Sequence, residues 1–173
     1  MIIAIDGACP GNGSDQAAKS ACGIHFGDGA RNYALRVREK SGYTHTSQRA
    51  ELHAAIAALD LATVYAINGG QSDCDLNQCP TPCRVVNLVI KSDSAYLVNS
   101  MTRDIHKWRT NGWMTAKKTA VKNKDLFVQI WNQVDKLEKM LTAVDFWLVP
   151  RDLNADADEL ANEGLNSSEI TGY

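Results

Sequence analysis

The chain has 173 residues, 45% hydrophobic and 22% charged, an ordinary composition for one globular domain with a sizeable core. No apolar run approaches the roughly 20 residues of a membrane helix, and five cysteines, an odd number, cannot all pair within the chain, which favours a reducing compartment. The first strand begins at Ile2, leaving no room for a signal sequence or transit peptide, so a cytoplasmic or nuclear setting with no membrane partner is expected. The net charge of −2 hides an asymmetry: from Arg103 to Lys124 seven Lys or Arg stand against one acid, Asp104.

Met1 to Gly7 is a short Ile-rich run that delivers Asp6 and stops at glycine, the pattern of a buried strand. The Gly, Pro and Asn density of Ala8 to Asp15 marks a loop. Ala21 to Phe26 and Tyr33 to Val37 read as two further strands joined by Gly27-Asp28-Gly29, so the opening is three strands in an antiparallel meander. Thr44-His45-Thr46-Ser47 offers hydroxyls for starting a helix, and from Gln48 to about Tyr65 Leu52, Ala55, Ile56, Leu59 and Ala62 form one apolar stripe with Glu51 beside it. A Cys-containing insertion, 68–84, follows, with Cys74, Cys79 and Cys83 and two prolines. Its spacing is not the C-x2-C of a structural zinc site, so a local clip and a loop with free thiols both stay open.

Val85 to Ile90 is a strand of the continuous apolar kind and delivers a second aspartate, Asp93. A helix from Ser94 to Met101 leads into the basic segment, where Trp108 and Trp113 stand among cations suited to phosphates and stacked bases. Phe127, Ile130, Val134, Leu137 and Leu141 write a long amphipathic helix from Asp125. Ala143 to Val149 is a last strand closed by Pro150, and Asn154 to Leu165 a last helix with Asp158 beside its packed side. The expected architecture is α/β: one domain over 1–173, a five-stranded mixed sheet of three antiparallel and then two parallel strands, flanked by helices.

Asp6 and Asp93 on strand ends, with Glu51 and Asp158 beside two packed helix faces, are four carboxylates free to converge. Such a cluster stays ionised only with cations, and its hard oxygen ligands suit Mg²⁺ or Mn²⁺. Two ions about 4 Å apart activate a water and stabilise a leaving oxygen in phosphodiester hydrolysis.

With these residues in view, the sequence resembles the type 1 ribonuclease H family over nearly its whole length. The resemblance rests on Ile5-Asp6-Gly7-Ala8 with Gly11-Asn12, Gln48-Arg49-Ala50-Glu51-Leu52 and Ser92-Asp93-Ser94-Ala95-Tyr96. It continues through Trp108-Arg109-Thr110-Asn111-Gly112-Trp113, Val121 to Leu126, Val149-Pro150 and Asn154-x3-Asp158-Glu159-Leu160-Ala161. It implies a ribonuclease H-like fold and an endonuclease that cuts the RNA strand of RNA/DNA hybrids, leaving 5′-phosphate and 3′-hydroxyl ends. It also implies two Mg²⁺ ions, with Mn²⁺ as substitute, held by Asp6, Glu51, Asp93 and Asp158. By the same resemblance Asn12 and Gln48 contact the hybrid, Thr46 and Asn123 belong to a pocket for a DNA phosphate, and Trp108 lies along the DNA groove. Trp113 joins these as a candidate nucleic-acid contact, and the chain is expected to act as a monomer.

Departures from the family pattern accompany the match. Many members carry a Gly-His pair in a loop after Val-Pro; here Val149-Pro150-Arg151-Asp152-Leu153-Asn154 is short and no histidine follows His106, so altered turnover is expected, with Asp152 or Asp156 as candidate substitutes. Thr44 and Asp104 stand where some relatives have Arg and Trp, which implies a weaker grip on the DNA strand. An N-terminal hybrid-binding domain is not expected, and distributive cutting is. A non-catalytic hybrid-binding module and a domain cut from a reverse transcriptase polyprotein are the competing readings.

Overall fold

The computed structural model describes residues 1–12, 19–67, 87–140 and 142–172. The Cys-containing insertion, Val85, Val86 and Leu141 lie outside these residues.

The apolar run at the start forms β1 (Ile2–Ala8), which lies in the interior of the sheet. β2 (Ser20–His25) pairs antiparallel with β1, and β3 (Tyr33–Arg38) antiparallel with β2, as the meander predicts. On the other side β4 (Asn87–Ser92) runs parallel to β1 and β5 (Ala143–Leu148) parallel to β4. The expected three antiparallel and two parallel strands are therefore present. The correction is a sixth strand, β6 (Ile170–Gly172), parallel to β3 at the sheet's edge. Three residues with one apolar side chain carry no periodicity from which to read it.

Helix α1 (Ser47–Ile67) differs from the single stripe expected of it: every residue from Leu52 to Leu59 is buried. It packs on β1 and β2 beneath and on α4 (Lys124–Lys139) above, so its alanine-rich sequence suits a helix enclosed on all sides. The helix expected to end near Met101 continues. α2 (Ala95–Asn99), capped by the Ser94 hydroxyl accepting from the Leu97 N–H, runs through a wide π turn at Ser100–Asp104 into α3 (Ile105–Thr110). Seven basic side chains from Arg103 to Lys124 are all exposed.

Side chains alternate across a strand, and two glycines use that alternation. A Cβ on Gly7 would collide with the backbone of Ala50 and Glu51 in α1, and one on Gly23 with Ala157 and Ala161 of α5 (Ala155–Gly164). Gly7 pairs with Cys22, next to Gly23, so α1 and α5 cover opposite faces of the sheet. Gly7 is thus a helix-packing glycine: the space beside it is filled by α1.

Candidate active site

Asp6 is the sixth residue of the chain and lies one position before Gly7, so it points to the α5 face; its cross-strand partner is Gly23. Asp93 follows the last residue of β4, Glu51 lies near the start of α1, and Asp158 in the first turn of α5. Four separate elements thus bring these carboxylates to the rim of one cavity of about 430 Å³, which Arg151 and Asn162 also line.

The cavity is electrostatically unfavourable for anions. Burial, ahead of repulsion from Asp6 and Asp93, pushes the Glu51 carboxyl up to about 8, with Arg151 pulling the other way. Burial likewise raises Asp6 to about 6; a backbone bond from Gly7 opposes it, while Asp93 and Asp158 add to it. Two protein groups soften the repulsion. The Arg151 guanidinium donates to Asp158 Oδ1, and Asn154 donates from Nδ2 to Asp93 Oδ1 at 3.2 Å and to the Ile5 carbonyl at 2.9 Å. Asn162 Nδ2 also reaches Asp158 Oδ2, at 3.3 Å.

The donor set is all oxygen and all anionic, the kind that hard divalent cations prefer. Glu51 Oε2 is buried without a hydrogen-bond partner, a position costly for a bare carboxylate and suited to a ligand oxygen. These residues fit such an ion chemically. Among the described residues, however, no three acidic, His or Cys side chains are already gathered as one ligand set. With Arg151 on Asp158 and Asn154 on Asp93 the cluster stands open, and closing it on an ion requires side chains to turn inward.

The candidate nucleic-acid residues surround the start of α1. Asn12 Oδ1 accepts from the Ser47 N–H at 2.9 Å, and Thr46 Oγ1 caps the helix by accepting from the Arg49 N–H at 3.2 Å. Gln48 Oε1 is buried without a hydrogen-bond partner. Asn123, held in a left-handed backbone conformation, accepts from Arg49 Nη1 at 3.5 Å and donates to the Tyr96 hydroxyl at 3.3 Å. It lines a hollow of about 550 Å³ with Lys40, Tyr43 and Lys124. Trp108 and Trp113 are half-buried: the Trp108 ring is edge-on to Phe127 at 5.2 Å and tilted by 35° against Trp113 at 6.3 Å, so both are part of the core as well as of the surface.

Four residues carry weight that sequence reasoning did not give them. Arg49 is 3% exposed and forks onto Glu39 and Asp125, with Tyr43 stacked on its guanidinium at 4.2 Å. Glu39 also lies 3.3 Å from His53 Nε2. Burial would raise the Glu39 carboxyl, but bonds from His53 and Arg49 outweigh it and hold it at about 2. Arg151 and Asn154, which brace the carboxylates, sit in the short loop where Asp152 or Asp156 was the candidate. Asp152 does not line the cavity, and Asp156 faces His25 at 4.0 Å.

The ribonuclease H family model, "RNase H", matches residues 1–166. A ribonuclease H of Rhodopseudomonas palustris (strain BisB5) is 33% identical over 98% of this chain and 95% of its own length. Human Ribonuclease H1 is 30% identical over 98% of this chain, which spans 51% of that protein. Among solved structures, LC11-RNase H1 in complex with RNA/DNA hybrid superposes with a TM-score of 0.59 at 22% identity, covering 95% of this chain and 96% of that one, a likeness of fold. Strand order, the carboxylate-lined cavity and a match over nearly all of its length agree: the chain belongs to the ribonuclease H family.

Proposed function

We propose that the chain is a divalent-metal-dependent endonuclease that hydrolyses the RNA strand of RNA/DNA hybrids to 5′-phosphate and 3′-hydroxyl ends, acting as a monomer. The observation that carries this reading is the convergence of Asp6, Glu51, Asp93 and Asp158, from four elements, on one cavity. The ribonuclease H relatives and the hybrid-bound neighbour of the same fold support the substrate.

Asp6 and Asp93 are the central ligands in this reading, since both sit at the sheet end and Asp6 is the more deeply buried. Asp158, 32% exposed and shared with Arg151, is the loosest. These four carboxylates would hold two Mg²⁺ ions, or Mn²⁺ in their place, and the ions would supply the charge that makes a water nucleophilic and neutralises the leaving 3′-oxygen. Glu51, a metal ligand in this reading, also lies near the ribose 2′-hydroxyl, the group that distinguishes RNA from DNA. Gln48, with its own unpartnered oxygen, contacts the hybrid beside it. The partner DNA strand lies toward Asn123 and Thr46, with the exposed cations of 103–124 neutralising its phosphates.

A labelled RNA/DNA hybrid incubated with Mg²⁺, Mn²⁺ or chelator tests this directly. RNA-strand cleavage in both metals and none in chelator is expected; cleavage that persists in chelator, or an uncut hybrid in both metals, overturns it.

A further inference from the structure

A second basic surface, unconnected in sequence to the 103–124 segment, borders the carboxylate cavity. Lys19, Arg36, Arg38 and His45 line a groove of about 520 Å³, and Ile170, which pairs with Arg36, is its exposed apolar side chain. Pro10 lines both this groove and the carboxylate cavity, so a polymer in one continues into the other.

The charge of the groove is not cancelled locally. Glu39 at its margin is held by Arg49 and His53, and Glu169 faces Arg31 at 4.0 Å. Among the described residues the exposed guanidiniums of Arg36 and Arg38 have no carboxylate partner. Lys19 is positioned by the Leu165 carbonyl and Asn166 Oδ1, at 3.2 and 3.3 Å, and His45 by the Ser20 hydroxyl at 2.7 Å. Arg36 and Arg38 are two residues apart on one strand, so their stems are about 6.6 Å apart on the same face. That is the scale of successive phosphates along one nucleic-acid strand.

The connection from β3 to α1 separates the surfaces. Tyr43 lines the hollow with Asn123 and Lys124, His45 lines the basic groove, and Ser47 lines the carboxylate cavity. The DNA strand belongs on the Asn123 side, and only the strand in the carboxylate cavity can pass Pro10. We infer that the Lys19, Arg36, Arg38 and His45 groove binds the backbone phosphates of the RNA strand where it continues, single-stranded, beyond the hybrid. This rests on the hybrid-nuclease reading above. The exposed Ile170 beside Arg36 offers a ribose or base face an apolar contact.

The test is equilibrium binding, without cleavage, in the Asp93→Asn background. The probes are a short blunt RNA/DNA hybrid and the same hybrid extended by single-stranded RNA at either end or by single-stranded DNA on the other strand. An RNA extension at one end is expected to tighten binding, and the DNA extensions to add nothing. In the added Arg36→Gln/Arg38→Gln variant the gain disappears, about fivefold for each cation at 0.1 M salt, and the salt slope falls by about 0.7 per cation. Lys19→Gln, outside the sheet, gives a smaller loss in the same direction and guards against a folding explanation. An RNA extension without gain, a gain that survives the double variant in a folded protein, or an equal gain from DNA overturns the proposal. Failure of the blunt hybrid to bind at all sinks the hybrid reading itself and is distinguishable from these.

Discussion

Arg49 and Glu51 stand two residues apart on α1 and serve two groups of acids that meet the same electrostatic problem in opposite ways. Around Arg49, Glu39 and Asp125 are gathered on a cation that belongs to the chain, and Glu39 is driven to about 2. Around Glu51 four carboxylates are gathered in a cavity whose one cationic lining residue, among those described, is the exposed Arg151, and Asp6 and Glu51 are driven up to about 6 and 8. Buried acids alone therefore do not mark a metal site. What marks it is a shortage of built-in positive charge, which an exchangeable ion can remedy and a fixed guanidinium would forbid.

The largest effect separating the two groups is chemical. Asp93→Asn is expected to lower hybrid cleavage by roughly 10³-fold or more, the scale of removing charge stabilisation from a transition state, while circular dichroism and melting stay those of the parent. Full activity in Mg²⁺ sinks the assignment. Arg49→Met has the reverse profile. It leaves Glu39 and Asp125 without their shared cation, an effect of about 3–5 kcal/mol in urea unfolding. Arg49→Lys recovers only part of it, because an ammonium cannot fork onto two carboxylates. Loss of cleavage without loss of stability in Arg49→Met contradicts the structural role.

The two groups also respond oppositely to pH in chelator. Glu39, lowered from 4.5 in the unfolded chain to about 2, contributes stability that is complete above 4.5 and is lost as pH falls toward 2. Asp6 and Glu51, raised from 3.8 and 4.5 to about 6 and 8, bind more protons folded than unfolded; their contribution is complete at low pH and is lost as pH rises through those values. Unfolding of the metal-free protein by urea, followed from acid to mildly alkaline pH, is expected to show both limbs, with Mg²⁺ removing the alkaline one. An alkaline limb unchanged by Mg²⁺ counts against ion binding at these carboxylates. The smallest effect belongs to Arg151→Ala. An exposed ion pair contributes up to about 1 kcal/mol, so freeing Asp158 lowers the half-saturating Mg²⁺ concentration by up to about fivefold in calorimetric titration; a weaker Mg²⁺ affinity contradicts competition between the arginine and the ion.

Much of this arrangement was legible in the sequence where local pattern and position agree. Asp6 and Asp93 end apolar runs and Glu51 and Asp158 sit beside packed helix stripes, so strand and helix periodicity alone places them. What was illegible depends on pairings between distant residues. Arg49 meets Glu39 and Asp125 only after β3 and α4 have packed on α1, and no spacing announces it. Nor does the sequence announce why a glycine follows Asp6: its missing side chain admits α1. The apolar stripe of α1 underestimated its burial because alanines on the remaining faces read as neutral until a second helix covers them.

The sixth strand has a consequence for the order of assembly. Arg36 and Ile170 pair across most of the length of the chain, so during synthesis the outer edge of β3 stays unpaired until residues 170–172 have been made. An open edge in a nascent chain is a template for a neighbour's strand. The outward charges of Arg36 and Arg38 repel a second copy there, which makes the same two arginines guards against aggregation before the fold is finished.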